Sequence, residues 1–359
     1  VNAMRGLAGL CFSLFDTYGE DLSYEVAKDK AEEQGLTLHL GTFRANKSLW
    51  KREQKVKAGV VVEDSPEVED NFVFEEDKEY FVPPKVDETH VLNKELEALF
   101  DALNLASKKK PQNVRLNGPA GCGKTTTAME FAARHGRPML VMNCAMVREP
   151  RDWFGHKDYD PKSGTISWKK SLFYRFVQHT NAVVVLDELN RINPMVLNTL
   201  LPLLDDRRKA YLEEAKENIK VGNGVVFFAT TNEGREYTGT VGLDLAQADR
   251  MSTLIECNYL GEKEETNLLV QRTGLDYESA GKLAAVASHV RKKAQQDSAD
   301  GFSKAITTRM LLNAAEKFAL GGPTTLRYTL LNHFNADGGE ASERGNLLKL
   351  LVGKFGPVI

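Results

Sequence analysis

Gly118–Thr127 reads GPAGCGKTTT, between a short apolar run, NVRLN (113–117), and a helical pattern, TTAMEFAARHG (126–136). Its first eight residues fit G-x-x-x-x-G-K-[ST] with none out of place. Glycines let successive backbone N–H groups turn inward around a phosphate, and the dipole of the following helix favours the negative charge. Lys124 would reach the outer phosphates, and the Thr125 hydroxyl would join a Mg2+ shell. The motif also needs a strand before it and a helix after it, and the sequence predicts both, the strand over Val114–Asn117. A plain glycine turn is the competing reading, and the two correct flanks count against it.

A phosphate cradle only binds; hydrolysis needs a further metal ligand and a group that orients water. Residues 182–188, AVVVLDE, are a buried-strand run that delivers Asp187 and Glu188 at its C-terminal end. Ligands gather at that edge of open parallel sheets. Asp187 is therefore expected to hold the metal through water, and Glu188 to polarise the attacking water. The alternative is a strand that happens to end in two acids. A third run, GVVFFATTN (224–232), ends in Asn232, which would arrive beside the outermost phosphate or simply form a turn.

The length of 359 residues predicts two or three domains, and 42% hydrophobic with 27% charged residues is an ordinary globular composition. No apolar run reaches eighteen residues, so no membrane span is expected. The N-terminal VNAMRGLAGLCFSLF has no small-residue cleavage site and runs into Asp16, which does not read as a signal peptide. Cys11, Cys122, Cys144 and Cys257 lie far apart without a CxxC pair, as expected for reduced thiols in the cytoplasm. The net charge of −3 is unevenly spread: residues 39–57 are basic and 63–79 acidic.

In the N-terminal piece, LSYEVAKDKAEEQG has a helical period, and TFRANKSLWKREQKV reads as a second helix capped by Thr42. Helix, turn and basic helix form a helix-turn-helix outline, with Arg44, Asn46, Lys47, Lys51 and Arg52 as a footprint for DNA. A helical adaptor with a solvated basic face is the main competing reading, and a segment paired with the acidic stretch is the remaining one. The boundaries expected are a helical module at 1–60, an acidic linker at 61–84, an α/β nucleotide-binding core at 85–260 and an α-helical lid at 261–359.

Taken in order, YFVPP, GPAGCGKT, LDELNR, FFATTN, YTGTVGLDLAQADRMSTLIECNYL and ITTRML resemble the AAA+ ATPases over about Tyr80–Arg309. The likeness is greatest to the group containing MoxR, CbbQ/NorQ, GvpN and the ATPase subunit of cobaltochelatase, with dynein-related ATPases nearby. The resemblance implies a three-layer αβα core with a parallel sheet and a helical lid. It implies that Gly118, Pro119, Ala120, Gly121, Cys122, Gly123, Lys124, Thr125 and Thr126 bind ATP, and that Thr125 and Asp187 hold Mg2+. Glu188 would polarise water, Asn232 would be the sensor 1 residue, Arg309 the sensor 2 arginine, and Arg250 a finger reaching a neighbouring subunit. Arg191 is a second trans candidate. A surface ion pair is the competing reading for each lone arginine.

A finger supplied in trans implies a homo-oligomeric ring, in this family usually a hexamer. Hairpins expected at 151–170 and 205–224 would face a pore or partner, which makes Trp153, Phe154, His156 and Trp168 candidates for client contact or for packing within the hairpin. The function implied is Mg-dependent ATP hydrolysis that remodels a protein client, with a von Willebrand A-type protein as the common partner. Two alternatives are a DNA-directed NTPase recruited by the N-terminal helices and the motor subunit of a cobaltochelatase-like complex.

Overall fold

The computed structural model describes residues 10, 13–18, 22–33, 75–161, 164–232, 242, 245–295, 302–337, 339 and 342–357. The chain divides into two compact units, Val1–Glu76 and Asp77–Ile359. In the first, α1 (Tyr24–Glu32) starts at Ser23, whose hydroxyl accepts from the Val26 N–H at 3.4 Å. Leu14, Phe15, Leu22, Ala27 and Ala31 form its apolar cluster. The basic stretch 39–57, with Arg44, Asn46, Lys47, Lys51 and Arg52, lies outside the described residues, as does the acidic stretch up to residue 74.

The second unit opens with α2 (Lys94–Ser107), β1 (Gln112–Asn117), α3 (Lys124–Arg134) and β2 (Met139–Asn143). A hairpin of β3 (Gly155–Asp160) and β4 (Thr165–Lys170) precedes β5 (Val183–Asp187). A second hairpin, β6 (Lys209–Leu212) and β7 (Glu217–Lys220), precedes β8 (Val226–Thr231), α4 (Leu245–Asp249) and β9 (Thr253–Glu256). The main sheet has the order β2-β5-β8-β1-β9, and every pairing in it is parallel.

Continuous apolar runs make these strands because both faces of the sheet are covered. Val183, Val185, Val226 and Phe228 pack on one side with Phe100 of α2 and Phe131 of α3. Their alternates Val184, Leu186, Phe227 and Ala229 pack on the other with Trp153, Phe173 and Leu203. The result is the three-layer αβα core expected from the sequence.

After Glu256 the described residues hold helices and no strand. They include α5 (Glu262–Thr273), α6 (Tyr277–Ala294), α7 (Thr308–Gly321) and α8 (Glu343–Phe355). Leu269, Leu283, Val290, Leu311, Leu347 and Leu351 are the centre of a separate helical core. Among the described residues no helix is long and apolar enough to cross a membrane.

One local expectation is corrected. The hairpin expected from residue 151 begins only at Gly155, because residues 151–154 belong to a short helix, Pro150–Phe154. Proline is pre-organised for a first helical position. The Asp152 carboxylate accepts from the N–H groups of Arg148 and Glu149 at 2.8 and 3.1 Å, closing the helix start. Trp153 and Phe154 consequently point into the core, 0% and 5% exposed, and are not available to a client.

Candidate active site

The phosphate loop joins β1 to α3, so the chain must reverse tightly at the sheet's C-terminal edge. A Cβ placed on Gly118 would lie 2.0 Å from the Cys257 carbonyl oxygen, so only glycine lets the loop pass the end of β9. Gly123, immediately before α3, has φ +97° and ψ 17°, and a Cβ there would meet no protein atom. What selects glycine at 123 is the left-handed turn that aims the helix start. No side chain caps α3 at that position, which leaves the first-turn N–H groups facing the loop.

Lys124 is 7% exposed and folds across this loop. Its ammonium donates to the carbonyls of Gly118 and Pro119, both at 2.8 Å, and to Asn232 Oδ1 at 2.6 Å. Burial pulls its pKa down, while the nearby thiols and the carboxylates of Asp187 and Glu188 oppose that shift. Cys122 is lowered to about 7, chiefly by a hydrogen bond with the Cys257 thiol and then by the Lys124 charge; burial acts against the shift. The same bond raises Cys257.

Next to the lysine, the Thr125 hydroxyl donates to Asp187 Oδ1 at 2.9 Å, and the Thr230 hydroxyl donates to the same oxygen at 2.8 Å. The Glu188 N–H in turn donates to Thr230 Oγ1 at 2.8 Å. Glu188 holds φ 55° and ψ 45°, a left-handed conformation that is unusual away from glycine. Its carboxylate lies 3.2 Å from Arg191 Nε in the same chain, an ion pair about one-third exposed on each side. Asn190 Nδ2 donates to the Asn232 carbonyl at 2.8 Å, holding the end of β8.

Lys124, Thr125, Asp187, Glu188 and Asn232 thus meet at one edge of the sheet. Arg250 does not join them. Asn113, at the start of β1, donates from Nδ2 to the Arg250 carbonyl at 2.6 Å. That is the opposite edge, a strand length of roughly 13 Å away at ~3.3 Å per residue. Arg309 is exposed in the first turn of α7. The N-cap of that helix, Thr307, packs on Gly121: a Cβ there would lie 2.9 Å from Thr307 Cβ.

The residues present fit a nucleotide with a divalent cation. An uncapped helix start and a lysine suit phosphate. A hydroxyl beside one carboxylate suits Mg2+, which takes one or two carboxylates plus substrate phosphates. Among the described residues no group of three or more His, Cys, Asp or Glu side chains could hold a metal ion by itself. The local sequence pattern does not single out Thr230. The signal for it is register: Leu186 pairs with Ala229, which sets Asp187 beside Thr230.

Two family models match successive segments of the chain. The family described as AAA domain (dynein-related subfamily) matches residues 113–251. The family described as CbbQ/NirQ/NorQ C-terminal matches residues 265–337. BssE of Thauera aromatica is 32% identical over 240 residues, covering 67% of this chain and 80% of that protein. NorQ of Paracoccus denitrificans is 29% identical over 202 residues, covering 56% and 72%. The gas vesicle ATPase GvpN of Ancylobacter aquaticus is 27% identical over 186 residues, covering 47% and 52%. Strands β1 to β8 and the phosphate loop fall largely within one matched segment and most of the lid helices within the other, and the chain belongs to the AAA+ ATPases, in the dynein-related MoxR/CbbQ/GvpN group.

Proposed function

We propose that the chain is a Mg-dependent ATPase that works as a subunit of a homo-oligomeric ring and remodels a protein client. The observation that carries this reading is the joined set Thr125–Asp187–Thr230–Glu188 beside Lys124. A module that only bound nucleotide would have no need of a water-polarising carboxylate held at that position.

Lys124 and the N–H groups of Gly121–Thr126 hold the phosphates, and Thr125 and Asp187 hold the metal. Bound Mg2+ supplies positive charge that offsets the charge building on the phosphates. Glu188 orients a water and withdraws its proton; Asn232 releases Lys124 and fixes that water. Arg309 approaches from the lid. Arg250, at the far edge of the sheet, acts on the site of a neighbouring subunit, which makes each site incomplete in a monomer. BssE is named as a candidate chaperone, which supports a protein client. Cys122, Cys144 and Cys257 are free thiols, as suits a reducing cytoplasm.

Glu188→Gln is the direct test. It should leave ATP binding intact and lower turnover by about 10²- to 10⁴-fold, the usual contribution of a positioned base. Turnover equal to that of the unaltered protein would refute the assignment.

A further inference from the structure

Tyr259 stands in the connection between β9 and α5, between the two matched segments. Its hydroxyl donates to the Ala120 carbonyl of the phosphate loop at 2.9 Å. Its ring lies against the Arg291 guanidinium, whose carbon is 4.0 Å from the ring centroid. Arg291 is on α6 and makes two bonds to Glu265 on α5, at 2.6 and 2.8 Å. Both members of this pair are buried, 6% and 0% exposed. Arg291 Nε donates to the Ile306 carbonyl at 2.7 Å, and Glu265 Oε1 also accepts from the Thr308 hydroxyl at 2.8 Å. Thr308 is the first residue of α7, directly before Arg309.

We propose that Tyr259 and the buried Arg291–Glu265 pair are positioning residues that carry the state of the phosphate loop to the start of α7, and so set how Arg309 meets the nucleotide. The proposal rests on the ATPase reading above.

The physical case is one of direction. A guanidinium is a rigid planar fork, and here one edge is held by a carboxylate, Nε by a carbonyl and one face by an aromatic ring. Arg291 can therefore move only with α5, with Ile306 or with Tyr259. A buried ion pair is weak evidence for stability, because apolar residues of similar volume often serve as well. Its fixed geometry is what an apolar pair would lack. A phosphate entering the loop shifts the Ala120 carbonyl; the Tyr259 hydroxyl follows it and the ring displaces Arg291. Thr308, bonded to the same carboxylate, turns with the pair.

Arg291→Ala would leave a buried carboxylate without its counter-charge and endanger the lid's folding, so the test uses the two ends of the line. Tyr259→Phe removes one hydroxyl and keeps the ring against Arg291. Thr308→Val removes the other hydroxyl and keeps its shape. In the full chain, affinities for ATP and ADP are measured by competition with a fluorescent nucleotide, alongside melting temperature. Each variant should lower ATP affinity about tenfold relative to ADP affinity, within the range usual for coupled sites. The double variant should match either single one, because both cut the same line.

An unchanged ATP-to-ADP ratio in Tyr259→Phe, or losses that multiply in the double variant, overturns the proposal. Arg309→Ala separates the two levels. If it lowers the ratio and Tyr259→Phe does not, the line alone fails. If Arg309→Ala leaves the ratio unchanged too, the assignment of Arg309 to the nucleotide fails and the line falls with it.

Discussion

Glu188 adopts its left-handed conformation at a cost of roughly 1–2 kcal/mol, and its N–H is one of the groups that hold it there. That N–H ends on Thr230, whose hydroxyl hydrogen goes to Asp187, so one buried side chain aligns both acids. Thr230→Val keeps the shape and removes both bonds, leaving the Glu188 N–H without its acceptor. The expected loss is about 1–3 kcal/mol in denaturant unfolding. Turnover should fall on the order of 10- to 100-fold from misplacement of Glu188. A variant with unaltered stability and turnover would show that Thr230 fills space only. Asp187 and Glu188 are legible in LDELNR because an apolar run ending in acids is a local pattern. Thr230 is not legible in FFATTN. Its neighbour Thr231 is chemically identical but donates to Asn117 at 3.2 Å on the other face, and strand register alone tells them apart.

At the scale of elements, the first hairpin separates two kinds of aromatic and apolar residue that look alike in sequence. Trp153 and Phe154 are held in the core by the short helix before the hairpin, while Tyr159 and Ile166 face each other across β3 and β4, 60% and 68% exposed. Trp153→Ala should cost about 3–5 kcal/mol of unfolding free energy, the usual penalty for emptying a core aromatic site. Ile166→Ser should stay within about 0.5 kcal/mol in the same denaturation experiment. A small loss in Trp153→Ala would mean that the tryptophan contributes little to the core and would reopen a contact role. His156 is exposed on β3, and Trp168 is partly buried against the core. Of the four candidates for client contact, His156 alone is fully on the surface. The expected strand failed at 151–154 because a proline and a capping carboxylate decided the local backbone before any alternation could.

For the whole molecule, the separation of Arg250 from Lys124 is the fact with most consequence. An arginine side chain cannot span the sheet, so a role for Arg250 at a phosphate requires a second subunit. Mixing Arg250→Ala with Lys124→Ala protein should restore part of the ATPase activity that each lacks alone, since one kind of interface then combines an intact loop with an intact finger. Steady-state hydrolysis across mixing ratios measures this, and no recovery at any ratio would count against Arg250 acting between subunits. The order of motifs along the chain was enough to specify the layered α/β core, the phosphate loop and the two acids. Each depends on residue spacing within one strand–turn–helix unit, and such units are encoded locally. The arrangement of Thr230 on Asp187, of Lys124 on Asn232, and of Tyr259 between the loop and Arg291 was decided only in the folded chain. Those partners lie 43, 108 and 139 residues apart for the three bonds in which they meet, and no local spacing rule reaches across such separations. They meet because parallel strands align their C-terminal ends and the lid folds back over that same edge.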